Sequence, residues 1–335
     1  MTVQYSSVGV TPRTNVYAER ELLRHAGPKM VLDKLALAKK MPPNKTETIK
    51  FRRPRTFDAS TTPLQEGVTP SVTSFRYDDV SVSLRQYGQV IEMTDVVEDL
   101  HEDDVGRDIA LQASENIGRT MEALNWAVVR SGTNVFRSNG SVRGDVNTPI
   151  SLARQRAVVR ALRAQKADMI SKVISPGVNY ATRAVQGAYV AVAHTDMEAD
   201  IRNMPGFLPA AQYSGKERIS DHEVGSVETV RYILSEDLDP FRAAGSETLN
   251  GMLASDEGAG DRVDVYPVVF FGQDAWGTVA LRGQGAVTPS IIPANQKTKD
   301  DPLGQRGYVG WKTYHAALIL NQLWMARLEV GCTAL

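Results

Sequence analysis

Between two strand-like stretches, TETIKFRRPRTF and VSVSLRQYGQVIEMTD, the chain runs through DASTTPLQEGVTPSVTSFRYDD, a connector of about twenty residues with very little apolar content. Ordered loops in compact domains are usually about 4–6 residues long, since a longer one orders many residues with little burial to offset the entropy. In the second stretch Val80, Val82 and Leu84 alternate with Ser81, Ser83 and Arg85, the period of a strand with one covered face. Together these segments predict a long extended hairpin whose outer part has no core of its own. Such a limb makes physical sense where a neighbouring molecule supplies the missing surface.

The opposite pattern begins at Asp103. Val105, Ile109, Ala113, Ile117, Met121, Leu124 and Val128 recur every three or four residues, while Arg107, Asp108, Glu115 and Arg119 fall on other faces. Asp103 and Asp104 suit the positive end of a helix dipole, Arg130 suits the far end, and Gly132 is a natural stop. An amphipathic rod of about 40 Å follows, at 1.5 Å per residue. Ahead of the hairpin, residues 1 to 14 read as an irregular arm. Asn15 caps a helical stretch that breaks at Gly27-Pro28.

Further on, SLARQRAVVRALRAQKA predicts a second helix with Arg156, Arg160 and Arg163 on one face. Those three could meet phosphates; a solvated row, or ion pairs to a neighbour, is the blander reading. AYVAVAHT reads as a buried strand and TDMEADIRNM as a short helix capped by Thr195 or Asp196. VETVRYIL is a strand candidate within a loop-rich lobe. YPVVFFGQDAWGTVAL reads as a strand followed by a turn or short helix, and TPSIIPA as an edge strand because of its prolines. No internal period of a solenoid or propeller is present.

At 335 residues, with 42% hydrophobic and 23% charged residues, the chain has the composition of a folded protein of two or three domains. A formal net charge of -1 argues against a dedicated nucleic-acid binder, so any contact with DNA is expected to be weak and local. The first residues have no signal-like pattern and no window of about 18 apolar residues occurs, so secretion and membrane insertion are not expected. Cys332 is the one cysteine, and reads as a buried small hydrophobe. The histidines His25, His101, His194, His222 and His315 lack the spacing of a zinc site, and no nucleophile elbow or phosphate-binding loop occurs. No cofactor or metal is expected. Acid clusters at Glu102 to Asp104 and at Asp300 and Asp301 leave a carboxylate hydrolase as a remote alternative.

The order of arm, hairpin, long helix, mixed lobe and closing strand resembles the α+β Hong Kong 97-type fold of tailed-phage coats. PLQEGVTP, QYGQVIEMTD, EVGSVETVR, FGQDAWGT and DPLGQRGYVGWKT occur in that order. They are similar to motifs of the N-four-like podophage major capsid proteins. The resemblance implies an N-terminal arm (1–45), an extended loop (46–93) and a peripheral domain with the spine helix (94–150). It further implies an axial domain (151–300) and a closing peripheral segment (301–335).

As function, the resemblance implies self-assembly through pentamers and hexamers into an icosahedral shell around double-stranded DNA. Such a shell is built in the host cytoplasm and becomes part of the virion. A scaffolding protein, a portal and a decoration protein are the implied partners, with no membrane. An encapsulin-like nanocompartment is the alternative within the fold. Candidate subunit-contact residues are Arg52, Arg53, Arg55 and the loop Pro63, Leu64, Gln65, Glu66 and Gly67, with Glu115 and Glu122 as acids of an adjoining spine helix. Exposed, solvated charge is the alternative reading of these arginines.

Overall fold

The computed structural model describes residues 30–335 except 42–45, 56, 58, 62, 64–65, 68, 70–71, 101–104, 176–180, 214–217, 256–261, 282–287, 293–295 and 298–300. Residues 1–29 of the arm, with the break at Gly27-Pro28, and the start of the predicted rod at Asp103 lie outside the described residues.

The long helix is present. After the short helix α1 (Asp95–Leu100), helix α2 runs from Val105 to Val129. Its first half packs on a five-stranded sheet made of β1 (Leu37–Met41), β4 (Arg85–Thr94), β12 (Trp276–Leu281), β13 (Thr288–Ile292) and β14 (Arg306–Ile319). Strand β14 is the spine of that sheet. It pairs antiparallel with β4 from His315↔Arg85 to Arg306↔Thr94, while β12 and β13 share its other edge. Val309 and Trp311 of β14, with Tyr87 and Ile91 of β4, meet Ala113, Ile117 and Met121 of α2. The proline-bearing β13 is an edge strand, as expected, because proline cannot donate to a further neighbour.

The second half of α2 reaches another sheet. Eight strands run in the order β5 (Val135–Arg137), β15 (Met325–Val330), β11 (Tyr266–Phe271), β7 (Ala181–His194), β10 (Val230–Ser235), β9 (Glu223–Val227) and β8 (Phe207–Pro209), with β6 (Ile170–Ser175) on β7. Both faces of this sheet are covered, so its central strands are apolar without alternation. Tyr189, Ala191 and Ala193 of β7 face Val158, Val159 and Leu162 of helix α3 (Leu152–Ala164). Val190 and Val192 face the other way, with Phe271 and Met325, toward Trp126 and Val129 of α2.

Serving two sheets rotates the buried stripe of α2. Leu124 and Val128, predicted on the core face, are only half-buried, whereas Glu122, Asn125, Trp126 and Val129 are buried. Gly132 follows the helix without a left-handed conformation; a Cβ there would lie 2.9 Å from the terminal methyl of Met325, a flexible side chain that would have to shift.

Other local expectations are corrected. His194, not Thr195 or Asp196, caps the turn Thr195–Met197 ahead of helix α4 (Glu198–Arg202), its Nδ1 accepting the Asp196 N–H at 3.2 Å. VETVRYIL does carry a strand, β10 from Val230, but begins in the end of β9 and a tight turn with Glu228 at φ 54. The apolar run from Tyr266 to Leu281 holds strands of two different sheets and no helix, because Asp274, at φ 55, turns the chain out of one and into the other. The sheets also cross the sequence boundaries implied above. β12 and β13, within 151–300, join the five-stranded sheet, and β15, within 301–335, joins the eight-stranded one.

Candidate assembly surface

The limb is a two-stranded hairpin of β2 (Thr48–Pro54) and β3 (Tyr77–Ser83), registered from Thr48↔Ser83 to Pro54↔Tyr77. Ile49, Phe51, Val80 and Val82 alternate inward and pack with Met41, Leu84, Val279, Ala316 and Leu318, which seats the base of the hairpin on the five-stranded sheet. Beyond Pro54 and before Tyr77 no described residue forms a strand, and every described one is exposed. A cleft of about 310 Å³, lined by Phe51 and Arg53 of the limb and by Leu37, Asp274, Leu320 and Trp324 of the body, lies at the base.

The expected contact residues divide. Arg52 binds Asp79 directly across the ladder at 3.0 and 3.3 Å, and Arg53 and Arg55 share Asp78 at 3.2 and 3.1 Å. The hydrogen bond from Arg53, backed by Arg55, holds the Asp78 carboxyl below the usual carboxylate range. All three arginines therefore have partners on their own hairpin. Their exposed pairing fixes the ribbon's register at little energetic gain.

Glu122 is no surface acid. Its side chain is fully buried and accepts the backbone N–H of Val31 at 3.2 Å and of Leu32 at 3.1 and 3.2 Å, so it caps the turn Leu32–Leu35 against α2. Burial pushes its carboxyl up to about 8, against those two hydrogen bonds. Glu115 is half-buried on α2. Pro63, Glu66 and Gly67 are exposed near the limb's far end, where Gly67 takes φ +77, a turn conformation that favours glycine; Leu64 and Gln65 lie outside the described residues.

Sequence reasoning missed an aromatic row along the limb. Phe57 and Phe75 lie 5.9 Å apart, Phe75 meets Tyr77 edge-on at 4.5 Å, and the Arg52 guanidinium stands 5.1 Å from the Tyr77 ring. Phe57, Phe75 and Tyr77 are 57%, 50% and 51% exposed, and Val72 of the same connector is almost wholly so. The signal was present in the sequence as aromatics set into a polar connector. Clustered exposed apolar groups of this kind mark a surface that another protein covers.

The chemistry-bearing side chains serve the fold. His315 is buried beside Asn125 at 2.9 Å, and burial lowers its basicity. Asp301 accepts the N–H of Gly304 and Arg306 at 3.1 and 2.9 Å, while Asp300, Glu102, Asp103 and Asp104 lie outside the described residues. Cys332 is buried, donates to the Asp196 carbonyl at 3.3 Å, and burial, with Asp200 and Asp196 nearby, pushes its thiol up to about 12. Arg156 pairs with Glu228, and Arg163 lies 3.5 Å from the Thr229 hydroxyl, so two of the row's three arginines are engaged within the chain. Among the described residues no three His, Cys, Asp or Glu side chains gather as a metal site would need, and no helix is long and apolar enough to cross a membrane.

The architecture has solved counterparts. The capsid of Ralstonia phage GP4 aligns with a TM-score of 0.68 at 13% identity, over 92% of each chain. The capsid of cyanophage Pam1 aligns at 0.62 and 13%, also over 92% of each. The SrpI encapsulin of Synechococcus elongatus is a weaker likeness, at 0.50 and 10% identity over 100% of this chain and 93% of that one. No curated protein sequence matches. At these identities the likeness speaks for the Hong Kong 97-type fold alone. The sequence profile described as phage capsid protein matches residues 77–328, three quarters of the length, and on that match the chain belongs to the phage capsid protein family.

Proposed function

We propose that this chain is the major capsid protein of a tailed phage of the N-four-like podophage branch, forming pentamers and hexamers that close into an icosahedral shell around double-stranded DNA. The observation that carries the reading is the limb. Among the described residues it is held to the body at its base, yet it leaves Phe57, Phe75 and Tyr77 half-exposed or more and Val72 almost wholly so. A second copy of the chain is the partner that such a surface fits, with the limb lying over its neighbour. A buried contact above about 1,000 Å² is the size of a specific association, and repetition around a closed shell multiplies modest contacts into a persistent particle.

The N-four-like assignment rests on the motifs from PLQEGVTP to DPLGQRGYVGWKT. On this reading a scaffolding protein, a portal and a decoration protein are partners, assembly takes place in the host cytoplasm, and the subunit has no catalytic role. The phage capsid profile favours a virion shell over an encapsulin compartment, since the fold is common to both. Deleting residues 60 to 74 tests the role. Sedimentation and negative-stain microscopy should find a folded, soluble subunit that no longer forms shells, and normal particles from the deletion would refute it.

A further inference from the structure

Where α2 ends against the eight-stranded sheet, four arginines gather, three of them at one aromatic ring and three at one carboxylate. Arg130 follows α2, Arg137 ends β5, Arg143 opens the turn Arg143–Asp145 and Arg327 lies on β15. The guanidiniums of Arg130, Arg143 and Arg327 stand 5.6, 3.8 and 5.6 Å from the centre of the Phe241 ring. Glu329, its side chain wholly buried, accepts from Arg143 at 3.1 and 2.6 Å and lies 3.4 Å from Arg137 and 3.1 Å from Arg327. Among the described residues it is the one carboxylate within ion-pair distance of any of these four. Asp145 attracts Arg137 from farther away, and its own carboxylate accepts the N–H groups of Ser141 and Val142 at 3.0 and 3.1 Å.

The charge does not balance locally. Three guanidiniums contact one carboxylate, with Arg130 beside them over the shared Phe241 ring, in surroundings where Arg327 is already depressed by burial and by Arg143 and Arg137, despite Glu329. Like charges gathered at a partly buried place favour an added anion. The cluster is open to one, because the side chains of Arg137 and Arg143 remain 28% and 34% exposed. Their planar forks match oxyanions with paired hydrogen bonds. A single carboxylate would leave positive charge over; a phosphate group brings more negative charge and a tetrahedral set of acceptors.

We propose that Arg130, Arg143 and Arg327 around Phe241, with Arg137 beside Glu329, form an oxyanion site that takes phosphate, either as free diphosphate or as the backbone of DNA. The site stands independently of shell formation, since its test needs only the folded subunit. The full chain is melted with pyrophosphate and with sodium chloride at matched ionic strength, its pyrophosphate affinity is measured by calorimetry, and a short DNA duplex is titrated across a salt series. Wild type should melt higher in pyrophosphate than in chloride. Arg143→Gln should bind pyrophosphate about tenfold more weakly, and Glu329→Gln, which removes the internal competitor, should bind it several-fold more tightly. Arg156→Gln, away from the cluster, should bind like wild type.

A duplex salt slope smaller by about one in Arg143→Gln identifies the DNA backbone as the source of the phosphate. Pyrophosphate binding without duplex binding identifies free phosphate. The proposal is overturned if wild type gains nothing from pyrophosphate over chloride, if Arg143→Gln and Glu329→Gln both bind like wild type, or if poly-glutamate binds more tightly than pyrophosphate. The wild-type melting comparison decides even if neither variant folds.

Discussion

The limb and the eight-stranded sheet are both built from β-strands, yet they solve opposite problems. In the sheet every residue of β10, β11 and β15 is buried, and its carboxylates have partners inside, as with Glu329 and its arginines or Glu223 3.6 Å from Arg231. On the limb one face of the ladder is exposed, its ion pairs face solvent, and its aromatic side chains meet one another at an angle. Burial makes the sheet the source of stability, because apolar area removed from water dominates folding. The limb contributes little to the fold of its own subunit, and that leaves its apolar surface available to another. The chain thus separates what keeps it folded from what it offers outside.

The sharpest way to break this contrast is to truncate one aromatic in each region. Phe270→Ala, at a fully buried site on β11, should cost about 3–5 kcal/mol and be seen as a large fall in the denaturant midpoint. A change below about 1 kcal/mol would mean the sheet is not the stabilising element.

A smaller effect tests the interior charges. The Glu122 carboxyl, raised to about 8 from an ordinary 4.5, keeps its proton in the folded state, so its stabilisation is complete below pH 4.5 and is lost as pH rises through 8. Glu122→Gln should match wild type near pH 4.5 and be more stable by about 1–3 kcal/mol at pH 9 in chemical denaturation. Identical pH profiles would show that the group titrates normally.

On the limb, Phe75→Ala should change subunit stability by less than about 0.5 kcal/mol while slowing or abolishing particle formation, measured by light scattering. A destabilised subunit with normal assembly would reverse the comparison. Smallest of all, Asp78→Asn should leave the melting temperature unchanged, since its partners Arg53 and Arg55 are exposed and solvated. A clear drop in melting temperature would show that the ribbon is held by its charges.

How much was legible follows from the range of each interaction. The limb announced itself through a polar connector between alternating strands, and α2 through a repeat of three and four residues, because each pattern lies within one element. The buried stripe of α2 was misread at Leu124 and Val128. Periodicity locates an apolar face but cannot tell that a second sheet and the turn at Val31 and Leu32 claim the neighbouring one. Glu122 read as a surface acid for the same reason, its partners lying 90 and 91 residues away.

By itself the sequence determined the elements, the coreless limb and the absence of familiar catalytic motifs, all of which depend on residue type and short-range spacing. Only the tertiary structure decided that Arg52, Arg53 and Arg55 turn to Asp79 and Asp78, that Glu122 caps a distant turn, and that Arg137, Arg143 and Arg327 converge on Glu329. The physical reason is that a charged side chain takes whichever partner the packing brings within a few ångströms, and the packing of sheets joins residues nearly two hundred positions apart.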